Sequence, residues 1–225
     1  MLPLAIWLAL GVDAILVALH LANAVPIPPL EARTRLLDLG IEANVPTWWA
    51  SAQLWTAAVL LASIGWRTAA HSGSLALAAL LAIFSLDEVA RLHEPLAAAT
   101  RSEFVPITGL WPLLLGPLAI AVVSVSAWMA RTTWSRDPVA AAWLGAGLAG
   151  FLVSVVGIEL LVNVVPWGGA AHFTQVLAEE TGELIAGTFI LAGAYRFAIP
   201  PSRAAVDDTS QPPMDEPWPM HSQPR

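Results

Sequence analysis

The chain has no cysteine and no lysine, a single tyrosine, and charged side chains at only 12 % of its 225 positions. Without cysteine there is no disulfide framework, thiol nucleophile, iron–sulfur cluster or Cys-ligated zinc. A soluble domain carries roughly twice that charge fraction, so the chain lacks the polar cover that a soluble surface of its length needs. Its ten cations, all Arg, are outnumbered by seventeen carboxylates, giving a net charge of −7. No basic stripe is present of the kind a nucleic-acid binder uses. A Walker loop, a dinucleotide fingerprint and a serine-hydrolase elbow are also missing.

What remains is strongly apolar: 57 % hydrophobic residues, with mean hydropathy +0.67. Six stretches reach the length of about 20 apolar residues that a helical span needs, at 2–25, 48–66, 74–94, 110–130, 139–165 and 174–198. A spanning segment must satisfy its own backbone hydrogen bonds, and these runs are too long for barrel strands. The expected fold class is therefore all-α, a polytopic membrane helix bundle of about six transmembrane helices. Trp48, Trp49 and Trp66 bracket the second stretch, and Trp111 and Trp128 the fourth, where indoles favour the headgroup region. The first stretch ends in a signal-like Ala22-Asn23-Ala24 but has no cationic leader and carries Asp13 and His20. It is expected to be a retained helix.

Two units follow: a six-span domain over 1–198 and an acidic, Pro-rich tail over 199–225. Residues 26–46 suggest a short amphipathic element, with Leu36, Leu37 and Ile41 on the membrane surface and Arg33, Arg35 and Asp38 in water. Alone, the tail buries too little apolar surface to fold. Trp218 and the prolines of 212–219 suit a polyproline-type strap along a partner subunit. Arg67, Arg131, Arg136, Arg196 and Arg203 lie near span ends on one side. Arg33, Arg35 and Arg101 lie on the other, diluted by Glu31, Asp38, Glu42 and Glu103. The excess of cations on the first side places both termini in the cytoplasm.

In that topology most ionisable groups gather toward the outer leaflet: Glu42 before the second span, Asp87, Glu88, His93 and Glu94 ending the third, Glu159 late in the fifth, and Glu179, Glu180 and Glu183 beginning the sixth. Asp13 alone is near mid-depth. Asp87, Glu88 and Glu94 can meet one partner helix, whereas His93, on another face, needs a local bend. Carboxylates with imidazole suit iron or manganese, and the candidate metal ligands are Glu88, His93, Glu94, Glu159, Glu180 and Glu183, with Glu42 and Asp87 behind them. A di-iron four-helix site would show Glu-x-x-His on two helices, and the chain has none. Two other readings stand beside metal binding: a proton-transfer or water-filled polar site, and structural ion pairing through Asp87, Arg91 and Glu94. His20 is the candidate for a cofactor or pigment contact, or else a hydrogen-bonded core residue. His172 lies close to the carboxylates, while His71 and His221 fall in a loop and the tail.

Three segments taken together, IEANVPTWWAS at 41–51, FSLDEVARLHEPL at 84–96 and LAEETGELIAG at 177–187, resemble a group of uncharacterised bacterial multi-span membrane proteins. That group carries E-x-N-x-P-T-W, L-D-E-x4-H-E and a Glu-Glu pair followed by a third Glu. The resemblance implies that Glu42, Asn44, Thr47, Asp87, Glu88, His93, Glu94, Glu179, Glu180 and Glu183 form the group's polar set, in a multi-pass protein of the bacterial inner (cytoplasmic) membrane. It names no activity. Two functional classes follow: a membrane protein whose outer-leaflet carboxylate–His cluster binds a metal or moves protons, and a non-catalytic accessory subunit of a larger photosynthetic or respiratory complex, held in part by its tail.

Overall fold

A computed structural model describes residues 3–23, 34–67, 72–101, 120–121, 124–125, 127–129, 131, 137–165 and 169–199. Among them every regular element is helical: α1 (Leu4–Asn23), α2 (Val45–Arg67), α3 (Ser72–Ala90), α4 (His93–Thr100), α5 (Pro138–Leu152) and α6 (Ala170–Ala198), with one 3-10 turn at Thr34–Leu36. Helix α5 continues as a π-helical turn, Val153–Ile158, and a 3-10 turn, Glu159–Asn163.

Three of these segments are long and apolar enough to cross a membrane: Leu4–Ala22, Ser72–Ala90 and Pro138–Asn163. At 1.5 Å per residue, α2 and α6 are also long enough, at about 35 and 43 Å. They are more polar, however: α2 carries Thr47, Ser51 and Gln53, and α6 carries Glu179, Glu180, Glu183 and Arg196. Most of the expected fourth span, and the tail from residue 200 onward, lie outside the described residues.

Helix α6 is the hub, packing against α1, α2 and α5, while α2 also packs along α3. The main core joins Leu54 and Leu61 of α2, Leu77 and Leu81 of α3, Leu144, Leu148 and Phe151 of α5, and Ile190 of α6. Helices α5 and α6 approach closely because glycines face each other's backbones. A Cβ on Gly147 would lie 2.6 Å from the Ile190 nitrogen, and one on Gly193 would lie 2.7 Å from the Leu144 nitrogen. Small residues are how helices pack where lipid supplies no hydrophobic drive. Asp137 caps α5 by accepting the Val139 and Ala140 amides at 3.0 and 3.1 Å and pairs with Arg196 Nε at 2.7 Å, joining the start of α5 to the last turn of α6. Ser51 and Ser85 exchange hydroxyl bonds to each other's carbonyls at 2.9 and 3.0 Å, locking α2 to α3. Outward faces carry Leu4, Trp7, Leu8, Ile15, Trp55, Val59 and Ile83 exposed, an apolar coat suited to lipid.

The polar interior has one centre. The Asp13 carboxylate of α1, 3 % exposed, accepts Trp49 Nε1 at 2.7 Å and Gln53 Nε2 at 2.9 Å from α2, and Thr188 Oγ1 at 2.7 Å from α6. Gln53 Nε2 also donates to Thr188 Oγ1 at 2.8 Å, and Gly187 leaves the space Gln53 occupies, since a Cβ there would collide with its amide. A bare carboxylate at a membrane-helix centre costs about 2.5–3.5 kcal/mol even on insertion scales. Three donors from two neighbouring helices offset that cost.

Two expectations are corrected by this arrangement. Trp49 is partly buried with its indole committed to Asp13, so it is not an interface anchor, unlike its exposed neighbours Trp48 and Trp66. Of the amphipathic element expected over 26–46, residues 26–33 lie outside the described residues, and 34–44 is irregular beyond one 3-10 turn. Leu36 and Ile41 are exposed as expected, but Leu39 is buried with Leu16, Ala50 and Leu184. The backbone is held there by His20, whose Nδ1 accepts the Leu39 amide at 3.1 Å. His20 also lies 3.2 Å from Asp38 Oδ1 and stacks on Phe173 of α6 with 5.2 Å between ring centroids.

Removing the central acceptor leaves Trp49, Gln53 and Thr188 with unsatisfied donors. Asp13→Ala should therefore lower stability by about 1–3 kcal/mol in detergent unfolding, with Asp13→Asn losing less. Equal stability of all three proteins would show that the carboxylate is not the clamp.

Candidate functional site

The first motif segment shapes one wall of the site. Asn44 is the N-cap of α2, its Oδ1 accepting the Thr47 amide at 3.2 Å, as short polar side chains do at helix starts. Its Nδ2 donates to the carbonyls of Arg35 and Asp38, fastening the preceding turn. Ala43 has φ 60°, a left-handed conformation costly for a residue with a Cβ. That turn aims Glu42 away from the α2 axis and toward the end of α3.

The second segment supplies the bend that His93 requires. Helix α3 ends at Ala90, and Arg91 takes φ 55° while its amide still donates to the Asp87 carbonyl at 2.7 Å. Asp87 Oδ1 then accepts the His93 amide at 2.9 Å, so one side chain satisfies the start of α4. Pro95, the sequence candidate for the break, instead sits in the first turn of α4, where a missing N–H costs nothing. The expected Asp87–Arg91 pair is not made, because the left-handed residue turns Arg91 outward to Glu42 Oε2, at 2.6 Å, and to Glu94.

His93 is bound at both ring nitrogens, Nδ1 3.1 Å from Asp87 Oδ2 and Nε2 3.0 Å from Glu42 Oε1. Burial alone would lower its pKa, but hydrogen bonds to Asp87 and Glu42 and their negative charges outweigh that and raise it to about 10. Two carboxylates facing both nitrogens hold the ring as an imidazolium.

These elements border a partly open cavity of about 220 Å³. Glu42, Thr47, Asp87, Glu88 and His93 line it from α2, α3 and α4, and Glu179, Glu180 and Glu183 from α6. An apolar wall is built by Ile83, Phe84, Leu92, Leu96, Phe151 and Val155. Glu88 and Glu183 come close to each other across the space between α3 and α6, and Glu179 Oε2 accepts Gln175 Nε2 at 2.5 Å. Glu180 accepts no hydrogen bond from the described residues. The charges that act on it, from Glu88, Glu179, Glu42 and Asp38, are all negative.

Six of the sequence candidates, Glu42, Asp87, Glu88, His93, Glu180 and Glu183, thus share one cavity. Glu94 does not line it but is held outside by Arg91, more than a third exposed. Glu159 begins the 3-10 turn after α5, and its side chain lies outside what is described. His20 sits in the packing between α1, the 34–44 turn and α6 rather than in the cavity. No group of three or more His, Asp or Glu among the described residues is arranged to hold a metal ion. Sequence reasoning missed the apolar wall and the Trp49–Gln53–Thr188 donors. Gln53 in an otherwise apolar run was the available signal for the latter.

A protein-family model described as "Domain of unknown function (DUF8692)" matches residues 5–197, from the start of α1 to the end of α6. No curated protein and no solved structure matches the chain.

The raised pKa of His93 has a definite pH signature. Stability from the imidazolium is fully present below its ordinary pKa of 6.5 and is lost as pH rises through about 10. Melting temperature should therefore fall over that window in the unaltered protein and fall less in His93→Gln. Parallel curves would mean that the two carboxylates do not hold the ring charged.

Proposed function

Since the chain belongs to the DUF8692 family over nearly its whole helical bundle, we propose that its function resides in the carboxylate–His cavity, acting as a proton- or cation-holding site within a six-span integral membrane protein. What supports this reading is the convergence of Glu88, Glu180 and Glu183 on one cavity, with Glu88 and Glu183 close enough to interact. An ionised carboxylate only accepts, so two carboxyls can bond each other only if one of them holds a proton. In this reading the pair shares an exchangeable proton next to a third acid, Glu180, that accepts no hydrogen bond from the described residues.

Of the three sequence-based readings, this geometry favours the polar site. Structural ion pairing accounts for Glu42, Asp87, Arg91, His93 and Glu94, but it leaves Glu88, Glu180 and Glu183 unexplained. A resident metal receives no support from the spread of the carboxylates around a cavity. The accessory-subunit reading rested on the tail, and no observation within the bundle favours it.

Six spans with both termini in the cytoplasm would put the cavity toward the outer face. The chain has no cysteine, which makes this simple to check. A single cysteine at Ala69 should react with an impermeant maleimide only from the cytoplasmic side, and one at Ala170 only from outside. Labelling of both from the same side would overturn the topology.

For the site itself, infrared difference spectra of the protein in lipid nanodiscs, recorded between acidic and neutral pH, should contain protonated-carboxyl bands. Those bands should weaken in Glu88→Gln and in Glu183→Gln. Spectra unchanged by either substitution would dismiss the shared proton and with it the proposed role.

A further inference from the structure

The cavity has a polarity that a proton alone does not explain. One side is a set of carboxylates and the other is a hydrocarbon wall, in which the Phe84 and Phe151 rings lie 5.4 Å apart at 39°. The cations beside it are already committed. His93 is shared by Asp87 and Glu42, and Arg91 by Glu42 and Glu94. Glu179 has the Gln175 amide, and Glu88 and Glu183 lie close to each other. Glu180 is left over. It is half-buried and lines the cavity.

A half-buried carboxyl that accepts no hydrogen bond from the described residues and feels the negative charges of Glu88, Glu179, Glu42 and Asp38 is the kind of group that native structures satisfy with a ligand or a proton. A compact divalent ion would draw three or more oxygens or nitrogens together at about 2.0–2.6 Å, whereas no group of three or more acids or histidines among the described residues is arranged to hold one, and the cavity is lined partly by carbon. Water would satisfy the acids but gains nothing from the wall of Phe84, Leu92, Leu96 and Phe151. A ligand that is cationic at one end and apolar at the other matches both sides, and aromatic faces add attraction for a cation held near them.

We propose that this cavity binds a small organic ammonium ion, its charged head bonded to Glu180 and its apolar body lying against Phe84 and Phe151. The inference rests on the reading of the cavity as a cation- or proton-holding site and gives that site its ligand class. The N–H donors of the ammonium satisfy the unpaired carboxyl, and its single charge compensates the excess negative charge of α6. The hydrocarbon part displaces water from the apolar wall, the usual source of affinity in a cavity of mixed polarity.

The test uses the full-length protein in lipid nanodiscs with benzylammonium chloride as the probe, read by titration calorimetry and by the shift in melting temperature. Benzyl alcohol serves as the neutral analogue and manganese(II) chloride as the inorganic cation. Benzylammonium should bind and raise the melting temperature, and benzyl alcohol should bind at least tenfold more weakly. Glu180→Gln should weaken benzylammonium at least tenfold. Phe84→Leu, which keeps the wall apolar and hence the fold, should weaken it by a smaller factor while leaving manganese unaffected. No benzylammonium binding, binding undiminished in Glu180→Gln, or equal binding of benzyl alcohol would overturn the ligand class. So would manganese binding that depends on Glu180 while benzylammonium does not bind. If those results come with carboxyl infrared bands that still respond to Glu88→Gln and Glu183→Gln, only the ammonium inference falls. If the bands do not respond either, the reading of the cavity falls with it.

Discussion

One carboxylate in the interior of the bundle sets the geometry of everything around it. Asp13 has no cation partner among the described residues, so its carboxylate is tolerable only while Trp49, Gln53 and Thr188 all point at it. Those three donors come from two helices, and satisfying them fixes α1, α2 and α6 in rotation and in depth at once. A leucine in that place would pack acceptably in several rotations, because hydrophobic contact has no preferred direction. The hydrogen bonds have one. Since α6 carries Glu179, Glu180 and Glu183 on the turns before Thr188, the same constraint decides which way those acids face.

The three polar segments each do two jobs. Asn44 starts α2 while the residue two before it reaches across to His93. Asp87 ends one helix, starts the next and holds the imidazole. Gly187 lies at the end of the third segment and yields its side-chain volume to Gln53. Backbone shaping and cavity lining are carried by neighbouring residues, so the cavity cannot be altered without disturbing helix ends. Two non-glycine residues in the left-handed conformation, Ala43 and Arg91, flank the cavity, and such strain persists only where the surroundings over-determine it. Here the surroundings are the pairs made by Glu42 and Arg91 themselves.

Hydropathy was a good guide to where helices run. The stretches 48–66 and 174–198 became α2 and α6 within a few residues, and the gathering of acids at one end was visible from helical periodicity alone. What hydropathy could not show was interruption. The third stretch breaks at Arg91 because Asp87 offers its carboxylate to a backbone amide, an event that leaves no trace in apolar content. The fifth loses regular α geometry after Leu152 with no proline to announce it. Trp49 was misplaced for a related reason. An indole beside another near a span end reads as a surface anchor, and only the presence of Asp13 thirty-six residues earlier makes its N–H a buried donor. Pairings across helices are invisible to a scan along one of them.

The irregular end of α5 has a bearing on how the sequence can vary. A π turn accommodates an extra residue within a helix, and each residue advances an α-helix by about 100°. Relaxation of 153–158 to α geometry at unchanged length would therefore rotate all that follows by roughly that angle, and Val162, now buried, would swing from its packing. Loss of one position there would instead remove the surplus residue and leave the phase of the helix end nearly as it is. A one-codon deletion in this stretch is thus the gentler change, and a substitution among Val153, Val155 and Val156 that favours regular α geometry is the one that disturbs the register.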